Sequence, residues 1–372
     1  MLAKPDDGDV LIFSSLGEPC TQWVTRELEK SGCEYRLVNF EEALLNNVWS
    51  IEINDASDAA TYISRLTDDG YRDSDKPRRP RSVWMRRWGH PIYPAAFDEL
   101  SVAFSFGEIT SVVSALPEVL TRARWVNDQR SERRATNKVF QLTLARSLGF
   151  EIPRTLVTSD PDRVRAFAAT VPRVIFKPVS GYHPNIRTFN GAAHSKLEPN
   201  ADGIDLGYGR KSGGYLVFTQ ELTPERMDLL ETVRWAPAIF QERISKRSDI
   251  RVTIVGHRIF ACRILSQSRS DTETDFRMMN LSGVLRHEEM KLPDLVERRV
   301  RSLMSALGLT FGCMDLIETE DGGYCFLEVN PAGQWLWIEQ LTGAPISRAI
   351  ADELIEGSEI ATRSTLVEPA SS

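Results

Sequence analysis

Short apolar runs bounded by turn residues recur along this chain, and helical spacing fills many of the intervals between them. Asp9–Ser14 (DVLIFS) predicts a strand, Thr21–Ser31 an amphipathic helix and Tyr35–Phe40 (YRLVNF) a second strand. A β-α-β opening of this kind implies a small parallel sheet. Asp68–Arg81 (DDGYRDSDKPRRPR) interrupts the pattern with charge and proline and reads as an exposed loop. Ser82–Trp88 (SVWMRRW) returns to a strand. Helical spacing then covers Glu108–Leu116, Pro117–Val126 and Asn127–Leu148, the last as one helix or two abutting ones ending at Gly149. Arg173–Pro178 (RVIFKP), Tyr215–Thr219 (YLVFT) and Ala238–Glu242 (AIFQE) predict strands, with a helix over Pro224–Thr232. The long irregular stretch Val179–Gly214 carries two glycine-containing pieces, VSGYHPN and LGYGRKSGG, and a loop of this length is functional or disordered.

The C-terminal third has the sharpest pattern. The strand in RISKRSDIRVTIVG (243–256) pairs with a second, His257–Leu265, through a Gly-His turn, and Pro293–Leu307 predicts an amphipathic helix whose basic face (Arg298, Arg299, Arg301) is plain solvated surface. Phe311–Trp335 then reads as a β-hairpin: CMDLIE, a turn TEDGG, and the return strand YCFLEVN. Helices over Gln334–Leu341 and Pro345–Ile355 follow, and Val367–Ser372 reads as a frayed tail.

Asp315, Glu328 and Asn330 give this hairpin its chemistry. Asp315 and Glu328 fall on paired strands, and Glu328 and Asn330, two apart, share a face. Two carboxylates and an amide among Leu, Ile and Phe are costly unless a cation neutralises them. Hard oxygen ligands of this kind suit Mg²⁺, which shares its shell with waters and phosphates. The competing reading is a half-exposed hairpin whose acids face water. Lys177 near the end of an apolar strand needs an anionic partner for the same reason. Asp249 and Arg251 share one strand face, and Arg263 projects from a strand otherwise small and apolar.

Composition narrows the classes. At 372 residues the chain can hold two or three domains with substantial cores. A net charge of −7 argues against general nucleic-acid binding. No unbroken run of about eighteen apolar residues occurs, so no membrane span is expected. The N-terminus lacks a signal-peptide layout. Five scattered cysteines without CxxC spacing read as buried free thiols in a reducing cytosol, and five dispersed histidines give no zinc pattern. The glycines after the first strand are too few for a dinucleotide loop.

Four segments carry a resemblance: FKP at 176–178, QERISKRSDIRV at 241–252, DFR at 275–277 and the hairpin run FLEVNPAGQW at 326–335. Together they resemble the ATP-grasp peptide maturases that build ester- or amide-crosslinked graspetides. SVWMRRW, a strand bearing Trp84, Arg86, Arg87 and Trp88, resembles the same family's N-terminal segment, making its two arginines candidate contacts to an acidic peptide. The resemblance implies an α/β (α+β) ATP-grasp fold: a pre-ATP-grasp domain over 1–122, a central α/β domain over 123–237, an ATP-grasp domain over 238–362 and a tail over 363–372. It implies ATP and Mg²⁺ as cofactors. Lys138 and Lys177 would reach the nucleotide phosphates. Gln241 and Glu242 would meet the adenine edge, with Ser245 close by, and Asp249 would accept from the ribose hydroxyls. Asp315, Glu328 and Asn330 would hold the metal. Arg251 would reach a phosphate, and Arg263 or Arg277 would hold the carboxylate and the oxyanion. The partner implied is a ribosomal precursor peptide with a leader and an acidic core, met by a cytoplasmic enzyme, often homodimeric. Its reaction would join Asp/Glu side chains to Ser/Thr hydroxyls or Lys amines. The alternative on the same fold is a glutathione-synthetase-like ligase adding an amino acid to a small molecule or a protein C-terminus; a nucleotide-binding regulatory protein is disfavoured because the ligands and lysines are all present.

Overall fold

The structure is a computed structural model, and it describes residues 9–15, 17–39, 47–52, 60–65, 80–86, 91–179, 219–268 and 285–356. The chain packs as two compact units. The first comprises Met1–Glu132 with Leu309–Phe311 and Pro345–Ser372, the second Arg133–Gly308 with Gly312–Ala344.

The first unit opens with β1 (Val10–Ser14), α1 (Pro19–Lys30) and β2 (Tyr35–Asn39), the order expected from the sequence. Proline at the first helical position and the Glu18 carboxylate, which accepts from the Thr21 N–H at 2.6 Å, fix where α1 begins. A hairpin of β3 (Asn47–Glu52) and β4 (Ala60–Arg65) follows, then β5 (Ser82–Met85), α2 (Glu99–Val119), β6 (Arg124–Val126) and α3 (Gln129–Ala135). The sheet order is β2-β1-β5-β6, parallel throughout. Its two central strands, β1 and β5, are buried, largely apolar runs, as the middle of a parallel sheet requires. Leu11, Phe13, Val83 and Met85 pack with Val113, Leu116 and Leu120.

Two sequence expectations change here. The two helices proposed over Glu108–Val126 are one helix, α2, begun nine residues earlier where Asp98 accepts from the Ser101 N–H, and followed by strand β6. Pro117 lies in the last turn of α2. By length and composition alone α2 is the one helix among the described residues that could cross a membrane, a test that core helices also pass; its Val113 and Leu116 lie in the core of this unit. Arg86 is not presented at the surface. It is 3% exposed, and its guanidinium lies 3.3 Å from the buried Glu18 carboxylate. Arg87, Trp88 and most of Asp68–Arg81 lie outside the described residues.

The second unit contains α4 (Lys138–Ser147), β7 (Thr155–Thr158), α5 (Pro161–Ala168), β8 (Val174–Pro178), β9 (Gln220–Glu221), α6 (Pro224–Met227) and β10 (Ala238–Glu242). Thus 127–148 is two helices, not one. The strand predicted at Tyr215–Thr219 falls almost wholly outside the described residues, and the helix over Pro224–Thr232 is α6 followed by a 3₁₀ turn, Leu230–Trp235. These strands form an antiparallel sheet, β7-β10-β8-β9, over Val164, Val174, Leu230 and Phe240.

A second sheet follows: β11 (Lys246–Val255), β12 (Arg258–Ile264), β13 (His287–Met290), β14 (Phe311–Thr319) and β15 (Tyr324–Asn330), ordered β13-β12-β11-β14-β15. Between β13 and β14 runs α7 (Asp294–Leu307), with Val296, Val300, Leu303, Met304 and Leu307 on its buried face and Gly308, at φ +69°, ending it. Gly312 of β14 faces Met304, so α7 covers the sheet face carrying Gly312, Met314 and Leu316. Helix α8 (Leu336–Thr342) closes the second unit, and α9 (Ile346–Glu356) belongs to the first, where Leu354 accepts from Ser82 Oγ and Glu353 pairs with Arg124. All five cysteines are free thiols.

Candidate functional site

The other face of the five-stranded sheet carries the chemistry. Asp315 lies directly opposite Glu328 across β14 and β15, so the two carboxylates share that face. Just beyond them the register shifts: Leu316 pairs with Phe326, leaving Leu327 without a partner on β14. A bulge beside a functional pair re-aims side chains; here Glu328 stays opposite Asp315 while Phe326 stays in the core.

Each carboxylate has its own cation. Arg251 Nη1 donates to Asp315 Oδ1 at 2.8 Å, and Nη2 donates to the Gln334 carbonyl at 2.9 Å. Arg251 and Asp315 are both 8% exposed. Burial opposes the Arg251 charge, but the Asp315 carboxylate, with Cys313 and Glu328, outweighs it and raises the guanidinium's pKa. Gly333 makes this approach feasible. A Cβ there would lie 2.4 Å from Cys313 Cβ and 3.1 Å from Arg251 Nη2. Lys138 Nζ sits 3.1 Å from Glu328 Oε2, both side chains largely buried.

Lys138 is the first residue of α4, whose N-cap Asn137 accepts from the Phe140 N–H at 3.0 Å. One turn on, Gln141 is 2% exposed, and its amide holds both backbone groups of Val329: Nε2 donates to the carbonyl at 2.8 Å and Oε1 accepts from the N–H at 2.9 Å. This pins α4 beside Glu328. The sequence reading missed Gln141; its signal was an amide on the apolar face of a helix, three residues from the site lysine.

Asn330 is exposed, and its Oδ1 accepts from the Ala332 N–H at 3.0 Å. Asp249 is 3% exposed and accepts from Lys246 Nζ at 2.7 and 2.9 Å and from the Ser266 hydroxyl. Burial nevertheless pushes its pKa up. On β10, Gln241 is buried; Nε2 donates to Thr155 Oγ1 at 2.9 Å while Oε1 has no hydrogen-bond partner. Glu242 is half-buried and Ser245 exposed. Lys177 of β8 pairs with Ile239 of β10 and lies close enough to Cys325 to oppose the rise of that thiol, which burial first, then Glu151 and Glu242, push up to about 12.

Arg263 is not brought to the acid pair. Register places Arg251 opposite Cys262, and Ile250 opposite Arg263, so Arg263 and Arg251 lie on opposite faces. Arg263 Nε donates to Glu318 Oε2 at 3.1 Å, where Ser248 Oγ also donates at 2.9 Å. Arg277, with Asp275 and Phe276, lies outside the described residues, as do the glycine-containing pieces from 180 to 214.

Two opposed carboxylates fit a hard divalent cation, with Asn330 as a third oxygen if its amide leaves Ala332. Among the described residues no group of three or more His, Cys, Asp or Glu could hold a metal alone. The donor set therefore fits an ion that shares its shell with a ligand's oxygens.

No protein-family model and no curated protein sequence matches the chain. Solved structures do. A RiPP-associated ATP-grasp ligase of Chryseobacterium gregarium, in complex with ADP and a leader and core peptide, superposes with a TM-score of 0.78 at 25% identity, covering 94% of this chain and 97% of that one. The macrocyclase MdnC of Microcystis aeruginosa MRC, bound with precursor peptide MdnA, gives 0.73 at 25% identity over 94% and 100%. Macrocyclase MdnB of the same source gives 0.71 at 26% identity over 94% and 100%. With this fold carried across nearly the whole length, and FKP, QERISKRSDIRV and FLEVNPAGQW falling in it, the chain is an ATP-grasp ligase, similar to the graspetide-type ligases that mature ribosomal peptides.

Proposed function

We propose that this chain uses ATP to activate Asp or Glu side chains of a ribosomal precursor peptide as acyl phosphates. It then joins them to Ser/Thr hydroxyls or Lys amines, closing ω-ester or ω-amide rings. The observation that carries the reading is the Asp315–Glu328 pair, buried and cation-matched on a fold shared with peptide-bound ligases.

The carboxylate oxygen attacks the terminal phosphorus and ADP leaves. The acceptor hydroxyl or amine then adds to the acyl carbon, loses its proton, and phosphate departs. Phosphoryl transfer asks mainly for positioning and charge neutralisation. Magnesium held by Asp315, Glu328 and Asn330 would supply charge neutralisation at the phosphates. Lys138, Lys177 and Arg251 are the phosphate cations of this reading. Gln241, with its unsatisfied Oε1, and Glu242 serve the adenine edge, with Ser245 beside them. Asp249 reaches a ribose only by exchanging a donor it already holds. Arg277 orients the peptide carboxylate by a bidentate contact. We keep 123–237 as the leader-docking region and 238–362 as the ATP-grasp domain in function, and the cytoplasm as the place of action.

Two copies of the chain associate in the same reading. Leu100, Phe104, Gly107 and Ser111 of α2 line one exposed, uncharged stripe. An identical stripe on a second copy would cover it with a surface of the same polarity.

The test is direct. With a precursor encoded beside this chain's own reading frame, peptide mass should fall by one water per link as ADP appears, and Glu328→Gln should stop both. A gain of an amino-acid mass would favour the glutathione-synthetase-like alternative. Undiminished turnover by Glu328→Gln would remove the metal assignment.

A further inference from the structure

Among the described residues, each member of the acid pair is matched by a cation before any ligand arrives. Asp315 and Glu328 contribute two negative charges; Arg251 and Lys138 return two positive ones. A divalent ion entering alone would meet no net attraction and would have to displace an ammonium group from Glu328. A metal–nucleotide complex differs, because its phosphates give that ammonium a new anion as the metal takes the carboxylates. Each group that loses a partner then gains another of opposite charge.

The two ion pairs are not equivalent. Arg251 is fixed: it is buried, bonded also to the Gln334 carbonyl, and backed by Gly333. Two of its nitrogens hold acceptors of the protein, while Nε has no hydrogen-bond partner and can meet a phosphate without the fork moving. Lys138 begins a helix, makes its ion pair at 3.1 Å, and carries its charge on a flexible four-carbon stem. It is the cation that can leave.

We infer that Lys138 is a positioning residue that keeps Glu328 closed to divalent metal until nucleotide phosphate draws it away, so that metal and nucleotide load together. This rests on the nucleotide reading above and adds an order of events to it. Lys138 thus has two successive anions, a carboxylate of its own chain and then a phosphate. Reciprocity follows: whatever the nucleotide does for metal affinity, metal does for nucleotide affinity.

The experiment uses the full chain and Mn²⁺ as the probe, read by the loss of its free-ion electron paramagnetic resonance signal, without nucleotide. Wild type should bind Mn²⁺ only weakly, and Lys138→Met should bind it on the order of tenfold more tightly, because one unit of opposing charge at close range is gone. Lys138→Gln, smaller and polar, guards against a misfolded methionine variant and should behave alike; thermal unfolding checks both. Equal nucleotide-free Mn²⁺ affinity in wild type and both folded variants overturns the inference. A control with Mn²⁺ and ADP separates the two levels: if wild type does not bind that complex at all, the nucleotide reading itself fails; if it binds while free Mn²⁺ binds wild type equally tightly, only the loading order fails.

Discussion

Arg251 and Arg263 show how much one strand position decides. Both project from the β11–β12 pair, yet register sends Arg251 to Asp315 and Arg263 to Glu318 on the opposite face. Side chains alternate with a period of two, so residues opposite each other share a face and neighbours do not. The count was available in the sequence. A two-residue Gly-His turn pairs Val255 with Arg258, and stepping back along both strands places Arg263 opposite Ile250. Chemistry drew attention to an arginine in an apolar strand, and parity would have assigned it elsewhere. The acid pair was legible because spacing within a hairpin fixes it locally. Arg86 was not, since its partner Glu18 lies on a different element. Arg263→Met should therefore cost roughly 1 kcal/mol of stability, the scale of a partly exposed ion pair, and leave nucleotide affinity unchanged. Arg251→Met should weaken nucleotide binding and leave Asp315 buried without its guanidinium. Thermal unfolding and ADP titration of both variants check this; a loss of ADP affinity in Arg263→Met equal to that in Arg251→Met would sink the face assignment.

Among elements, α4 and β15 form the functional joint. Lys138 and Gln141 lie one turn apart on α4 and engage consecutive residues of β15, Glu328 by charge and Val329 by backbone hydrogen bonds. Gln141 thereby does for the lysine what a strand neighbour would do, setting its height over the sheet. Elements like the 311–330 hairpin and α7 were readable from periodicity and turn residues alone. Strand β6 and the true start of α2 were not, because a three-residue strand is stabilised by its parallel neighbour β5 rather than by anything in Arg124–Val126. Gln141→Ala leaves the Val329 N–H and carbonyl without their side-chain partners, both in the interior. The expected cost is about 1–3 kcal/mol per orphaned buried group. If α4 positions Lys138, ADP affinity should fall together with the melting temperature, whereas a surface substitution on α4 such as Thr143→Ala should change neither. Normal ADP affinity in a destabilised but folded Gln141→Ala would show that the helix does not set the lysine.

At the scale of the whole molecule, a three-part division follows from family segments, but compactness gives two units, because the chain returns. Leu309–Phe311 and Pro345–Ser372 pack with the N-terminal residues. Asn127 fixes the first return, its amide donating to the Phe311 carbonyl at 2.9 Å and accepting from the Thr310 and Phe311 N–H groups. Ser82 and Arg124 fix the second through Leu354 and Glu353 on α9. Links of such sequence separation leave no local periodicity, which is why they were invisible beforehand. The same first unit carries the exposed stripe of α2, and its Leu100 and Phe104 are 78% and 68% exposed. Apolar side chains that open to water on one uncharged helix stripe are costly to leave bare and cheap to cover with their own copy, since Gly107 and Ser111 allow close approach of a second helix. Wild type should therefore sediment as a dimer, and Phe104→Asp, which places two like charges across a two-fold contact, should sediment as a monomer with its melting temperature little changed, since Phe104 lies outside the core formed by Val113 and Leu116. A wild-type monomer at micromolar concentration, or a Phe104→Asp dimer of undiminished affinity, would refute the self-association of this face.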